Sequence, residues 1–339
     1  MFEYSNWSIL TICFVIVLFL ALNGVALCAV LYLVGAQWRS EVRKLAVNLY
    51  ALFPLAGVLL AILLLGGEHT FPWIGHVSHG EDVHMPGWYT LPLLAAREIT
   101  ALLVAMYLWK LFIQRQELAD RTPEDAARFH TIATWIPFFY VLYGTMVAWD
   151  FGMTLKPSWH SPIFSLYYIV SNFGLFLSFV VGWVYVLNTR SVLKTEVKPF
   201  VYNYIAQMML AFTLLWIYTF FAQYLTMWYG NLPDETDRIF AMQNGDFSFF
   251  WWSMITLKFI IPFASLCFPV VRHSPVAVNF VASCIIIGTL FEQFNWVIAS
   301  IQEKGSVPVL AALAVGGAVL FAGFTLVRSS MRKNQLLKV

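Results

Sequence analysis

Charge is what this chain has least of. Asp, Glu, Lys and Arg make up 11% of its 339 residues, where a soluble globular domain has about 25%. Hydrophobic residues reach 60%, and mean hydropathy is +0.73. A soluble enzyme, a disordered chain and a coiled coil are excluded, because so much apolar surface could not be kept from water. A net charge of +2 excludes a field strong enough to gather nucleic acid. Cysteine is scarce as well. Cys13, Cys28, Cys267 and Cys284 all lie in apolar runs, and none forms a CxxC or CxxCH motif. There is thus no sign of a disulfide scaffold, an iron–sulfur ligand set or a covalent haem. No apolar run has a histidine pair in its interior, as a bis-histidine haem would need. Phosphate-binding glycine loops, Ser-His-Asp arrangements and HExxH are missing too.

What is present is a series of long apolar runs. A helix needs about 20 apolar residues to cross the hydrocarbon core. Nine runs qualify, at 8–35, 44–66, 90–113, 130–151, 161–189, 201–229, 247–271, 276–300 and 306–328. They lack the short alternation of β-barrel strands. The fold class is therefore an all-α polytopic membrane protein. The N-terminal MFEYSNW carries an acid and no base, and its apolar run exceeds a signal-peptide core, so a retained helix is expected. Basic residues orient the chain. Fourteen follow odd-numbered spans or form the tail, from Arg39 to Lys338, against only Lys156, Arg238 and Lys304 on the other side. Basic connections stay cytoplasmic, which predicts an outer N-terminus and a cytoplasmic C-terminus.

Three outer connections stand out. EHTFPWIGHVSHGEDVHMPGW holds four histidines and three acids, DFGMTLKPSWH is rich in aromatics, and NLPDETDRIFAMQNGD is acidic. Such a face suits the docking of an external partner, although ordinary interfacial loops look similar. His76, His79 and His84, with Glu81 and Asp82, offer metal-binding atoms at no recognised zinc spacing.

Ionisable groups within a bilayer cost at least about 2.5–3.5 kcal/mol each on insertion scales, so they mark function or tie helices together. The third span carries Arg97 and Glu98, the fourth ends at Asp150, the seventh carries Lys258 and the eighth Glu292, beside Gln293 and Asn295. Tyr218 and Gln223 add polar groups to the sixth span, Asn23, Asn48 and Asn172 to the first, second and fifth, and His130 and His273 lie at cytoplasmic ends. The first eight spans split into two sets of four. The third span of each set bears a cation and the fourth a carboxylate. This parallel repeat predicts two four-helix bundles, 1–152 and 153–302, each with an internal acid–base pair, and a peripheral helix and tail over 303–339. Carboxylates, amides, tyrosine and histidine across a bundle can relay protons, and a partly buried carboxylate or histidine can accept a proton from a quinol. A path from His273 and Arg272 through Lys258 and Glu292 toward Asp150 is the specific expectation.

The segments AQWRSEVRKLAVNLYALFPL, LPLLAAREITALLVAMYLW, AWDFGMTLKPSWHSPIFSLYY, FAQYLTMWYGNLPDET and LKFIIPFASLCFPVVRHSP follow one another in this order. Together they resemble the F-type membrane subunit of bacterial alternative complex III, a quinol:cytochrome c (or oxidase) oxidoreductase, within the NrfD/PsrC-like superfamily. The likeness spans roughly 25–300. It implies two four-helix bundles, proton half-channels lined by buried charges, and a place in the bacterial inner membrane. It also implies partner subunits on the outer face carrying iron–sulfur clusters and haem c, and a sister NrfD-like membrane subunit. By motif position Arg97, Asp150 and Lys258 match buried positions of that family.

The expectation is therefore a lipid-embedded subunit of a quinol-oxidising respiratory complex. It would line a proton path through Arg97, Glu98, Asp150, Lys258, Glu292, Gln223, Tyr218 and His273, with no catalytic residue, metal or covalent cofactor of its own. A quinone or quinol is its candidate ligand. Two alternatives stand beside it, a stand-alone proton-coupled transporter and a bare anchor for a peripheral redox enzyme. Midplane helix breaks would favour the transporter, and Pro54, Pro137 and Pro262 are expected away from the charges.

Overall fold

A computed structural model describes residues 4–74, 90–119, 121–157, 159–301 and 307–338. The histidine cluster His76, His79 and His84, with Glu81 and Asp82, lies outside the described residues. Among those described, nine helices are long and apolar enough to span a membrane, and no β-strand occurs beyond one isolated bridge. They are α1 (Asn6–Leu33), α2 (Arg39–Leu65), α3 (Leu91–Leu118), α4 (Pro123–Met153), α5 (Phe164–Thr189), α6 (Pro199–Gly230), α8 (Ser248–Leu266), α9 (Pro275–Ala299) and α10 (Val309–Lys333). A further helix, α7 (Pro233–Asn244), connects α6 to α8. The acidic NLPDET stretch, expected as a loop, is largely this helix, because Pro233 at its first turn and the acids beside it suit a helix start. The end of the bundle bearing the connections after α2, α4, α6 and α9 is here called the loop end, and the opposite one the tail end.

Local chemistry sets the helix boundaries. Thr122 caps α4, its hydroxyl accepting from the Asp125 N–H at 3.1 Å, with Pro123, Glu124 and Asp125 filling the first turn. Ser274 caps α9 in the same way, ahead of Pro275. Helix α6 stops at Asn231, whose φ of 46° is left-handed. Helix α2 enters through a tight 3-10 segment, Val47–Leu52.

Helix α1 is the axis of the fold. It is apolar on every side, as a helix enclosed by others must be, and Phe14, Val15, Leu18, Phe19, Ala21 and Leu22 are fully buried. It packs on α2, α3, α4, α5 and α10 and on the loop end of α9. Gly24 makes one of these contacts possible, since a Cβ there would stand 2.4 Å from the Ala46 carbonyl oxygen of α2. Around this axis α3 packs on α4, α5 on α4, α6 and α9, and α8 on α6 and α9. Helix α10 lies at the rim against α1 and α2, and only Val327 and Met331 of it are buried. Its tail-end residues Ser330 and Asn334 both donate to Asn48 Oδ1 at 2.8 Å. Beyond it, Leu337 pairs with Leu193 of the connection after α5.

Three helices widen into a π turn, at the loop ends of α4 (Trp149–Met153) and α9 (Asn295–Ala299) and in the middle of α8 (Thr256–Ile260). The turn in α8 has a local cause. Pro262 has no N–H and its ring crowds the carbonyl four residues back, that of Lys258. The helix relaxes by widening there. Pro262 is therefore one turn from an intramembrane charge, not remote from the charges as the sequence suggested.

Candidate functional site

The four intramembrane charges of the two sets meet in pairs. Counting 1.5 Å per residue, Arg97 lies about 9 Å from the loop end of α3, Glu292 about 10 Å from that of α9, and Lys258 about 15 Å from that of α8. Arg97 and Glu292 therefore sit in the loop-end half of the bundle, and Lys258 reaches Glu292 from the middle of α8.

In the first pair, Arg97 grips Asp150 in a two-pronged bond. Its Nε donates to Oδ2 at 2.7 Å, and Nη2 donates to Oδ1. The Asp150 side chain is wholly buried and that of Arg97 nearly so. Glu98, the next residue on α3, is also fully buried. Its carboxyl group faces Asp150 and the Tyr143 hydroxyl closely enough to interact with both. Yet neither Glu98 oxygen, nor the Tyr143 hydroxyl, makes a hydrogen bond of acceptable geometry. Two carboxylates thus share one guanidinium in a medium that does not tolerate an unbalanced charge. Two acids placed face to face can share a proton, and Glu98 is the member that Arg97 does not bond.

The second pair is built differently. Glu292 Oε2 accepts from Lys258 Nζ and the Ser171 hydroxyl, while Oε1 accepts from the Tyr167 hydroxyl and from Trp216 Nε1 at 2.7 Å. Four donors fill the acceptor sites of a carboxylate. Lys258 Nζ also donates to Ser171 Oγ at 2.6 Å and lies 4.6 Å from the centre of the Trp216 ring. Trp296 Nε1 supports the ring of partners from behind, donating to the Tyr167 hydroxyl at 2.9 Å. Gly288, one turn before Glu292, lets the lysine stem pass, because a Cβ there would stand 2.6 Å from Lys258 Cγ.

A polar seam runs beside the second pair toward the axis. The Tyr168 hydroxyl donates to Gln293 Oε1 at 2.8 Å, Gln293 Nε2 reaches Asn172 Oδ1 at 3.5 Å, and Asn23 Nδ2 of α1 donates to the Asn172 carbonyl at 3.2 Å. Asn23 in turn faces Tyr140, one turn from Tyr143 on α4.

The other expected residues stand apart. Gln223 is buried, with Oε1 unbonded, and touches neither pair. Tyr218 is 66% exposed on the outside of α6. His273 is exposed at the tail end, its Nδ1 2.8 Å from the Pro269 carbonyl, and Arg272 donates to the Leu266 carbonyl at 2.7 Å. Neither joins Lys258.

Several partners were not singled out from sequence. Tyr167 and Ser171 precede Asn172 and lie four residues apart on one face of α5, a spacing that gives a detectable signal once Glu292 is known to need donors. Arg238 is the larger surprise. Counted among the outer-loop bases, it is fully buried on α7, with its guanidinium over the rings of Trp159 and Trp296 at 4.6 and 5.1 Å.

Among the described residues, no group of three or more His, Cys, Asp or Glu could hold a metal ion. An open groove of about 570 Å³ lies at the loop end, lined by Trp7, Ile62, Leu65, Glu68 and His69. The chain matches no family model and no curated protein.

Proposed function

We propose that this multi-pass membrane protein is a subunit of a quinol-oxidising respiratory complex like alternative complex III, and that its own task is proton handling at Glu98. One observation carries the reading. Glu98 is fully buried beside an Arg97–Asp150 pair, it faces the second acid Asp150 and the Tyr143 hydroxyl, and the Arg97 guanidinium bonds Asp150 rather than Glu98. A purely structural acid would be expected to have its oxygens satisfied. An acid that gains and loses a proton has to exist without fixed donors in one of its states. Arg97 holds Asp150 in place, and Tyr143 offers a hydroxyl within reach of Glu98.

The quinol headgroup is assigned to the groove at the loop end. Trp7, Ile62 and Leu65 give it an apolar wall, and Glu68 and His69 offer groups that can take its protons. Electrons leave to iron–sulfur clusters and haem c in partner subunits on the outer face, where the connection after α2 and helix α7 supply a docking surface. The protein sits in a bacterial inner membrane with its N-terminus outside and its C-terminus in the cytoplasm. A sister membrane subunit and lipid cover the apolar outside of the bundle.

The test is purification of the full chain in mild detergent, with identification of what accompanies it and a haem spectrum. Haem-bearing partners are expected. In that complex, Glu98→Gln should leave assembly intact and reduce quinol oxidation coupled to proton movement several-fold. Wild-type turnover and proton movement in the Glu98→Gln complex would end the reading. A reporter fused after Val339 should be active only in the cytoplasm.

One observation favours the transporter reading, namely the widened turn of α8 at Lys258 ahead of Pro262. Under that reading the chain purifies alone and drives ion-coupled uptake in liposomes.

A further inference from the structure

We propose that Arg238 is a positioning residue that ties the two charge sites together, and that α7 is the strap that delivers it. Its Nη2 donates to the carbonyl of Gly152 at 2.8 Å and to that of Trp296 at 3.0 Å, and its Nη1 donates to the carbonyl of Met153 at 3.2 Å. Gly152 and Met153 close the wide turn of α4 that contains Asp150, and Trp296 lies in the wide turn that follows Glu292 on α9. One side chain on a third helix thus bonds the backbone of both turns.

The chemistry suits arginine. The loop ends of α4 and α9 are helix C-termini, where carbonyl groups concentrate negative charge that a cation offsets. A planar fork of donors reaches carbonyls of two helices at once while its face rests on Trp159 and Trp296, whereas an ammonium group can donate to carbonyls but has no face to stack and no fixed fork. The tie then passes inward on both sides. On α4 it stops two residues from Asp150. On α9 it fixes Trp296, whose indole N–H holds the Tyr167 hydroxyl that donates to Glu292. A pull on α7 therefore moves both sites together. The coupling of the two turns does not depend on the proton-handling reading, and only the infrared readout rests on it.

Hydrogen exchange on the full-length protein in nanodiscs tests it. In the native protein, amides of 149–155 and 295–301 should open together. In Arg238→Gln both segments should exchange about ten-fold faster, and in Arg238→Lys both should fall between that and the native rate. Asp237→Asn, an exposed neighbour on α7, should change neither. If Arg238→Gln does not accumulate, Trp159→Leu removes one stacking face while leaving the donors, and both segments should still loosen together. The carboxyl infrared band lost in Glu98→Gln should shift in Arg238→Lys; a residue that only fastens α7 would leave that band in place. Loosening confined to α7, or to one of the two segments, would overturn the proposal. Loss of the Glu98 reading would show instead as unchanged turnover in Glu98→Gln, so the two fail separately.

Discussion

The two charge sites use the same parts to opposite ends. Each places a cation on the third helix of its set and an acid on the fourth. At Glu292 the acid receives four donors, from Lys258, Ser171, Tyr167 and Trp216. At Asp150 one guanidinium serves two acids, and Glu98 is left with both oxygens unbonded. The first arrangement has no lone pair to offer a proton, and every partner holds it in that state. The second has an acid whose charge nothing fixes. Intramembrane charge is therefore not one signal but two. A closed cage binds helices α5, α6, α8 and α9 to one another, whereas an open pair leaves room for chemistry. This also shifts the weight of the proton hypothesis from Lys258 and Glu292 to Glu98.

Removing one partner of the closed cage should have the largest effect. Glu292→Gln leaves the ammonium of Lys258 buried without a counter-charge and should destabilise the protein by about 3–5 kcal/mol, the cost of breaking a buried pair. Lys258→Met should fall in the same range. Thermal unfolding in detergent and the amount of protein in membranes report both. Native-like stability of Glu292→Gln would erase the contrast between the sites. Gly288→Ala comes next. A methyl group 2.6 Å from Lys258 Cγ has to displace the lysine stem, and overpacking of this kind costs about 1–3 kcal/mol. The same measurement with Gly316→Ala, where nothing lies within 4 Å of the added carbon, supplies the reference.

Glu98→Gln should change stability by less than about 1 kcal/mol, because a buried acid that faces a second acid is replaced by a neutral isostere still able to meet Asp150 and the Tyr143 hydroxyl. The same exchange of Glu for Gln is thus severe at one site and mild at the other. A loss at Glu98 equal to that at Glu292 would mean that both are cages. Tyr218→Phe, at a ring that is 66% exposed, should be silent in stability and in turnover, and a several-fold loss of turnover there would reinstate it as a site residue.

Much of this was legible because charge is so rare in the chain. Arg97, Asp150, Lys258 and Glu292 stand out in apolar runs, and their repeat across the two sets gives the pairing. The rest was hidden for physical reasons. Tyr167 and Trp216 are ordinary residues in helices rich in aromatics, and only the packing of α5 and α6 around α9 turns them into donors. Asp150 and Glu98 are carboxylates of similar chemistry, and sequence does not reveal which one the guanidinium takes. Arg238 was misread because a base outside a span counts toward topology, and burial under two tryptophans depends on a short helix that the acidic composition of its start concealed. The axial place of α1 also has a sequence signal, since it is the most apolar of the nine spans and carries no charge between Asn6 and Leu33.

The contact between Asn48 and the last turn of α10 has a consequence for biogenesis. Ser330 and Asn334 emerge from the ribosome more than 280 residues after the amide oxygen they satisfy, and Leu337 reaches the connection after α5 later still. The tail end therefore stays unfastened until α10 has been made, long after α1 and α2 have entered the membrane. A chain halted after α9 would insert its first eight spans, yet leave an amide at the mouth of α2 and a bare stripe on α1 that only the missing helix covers.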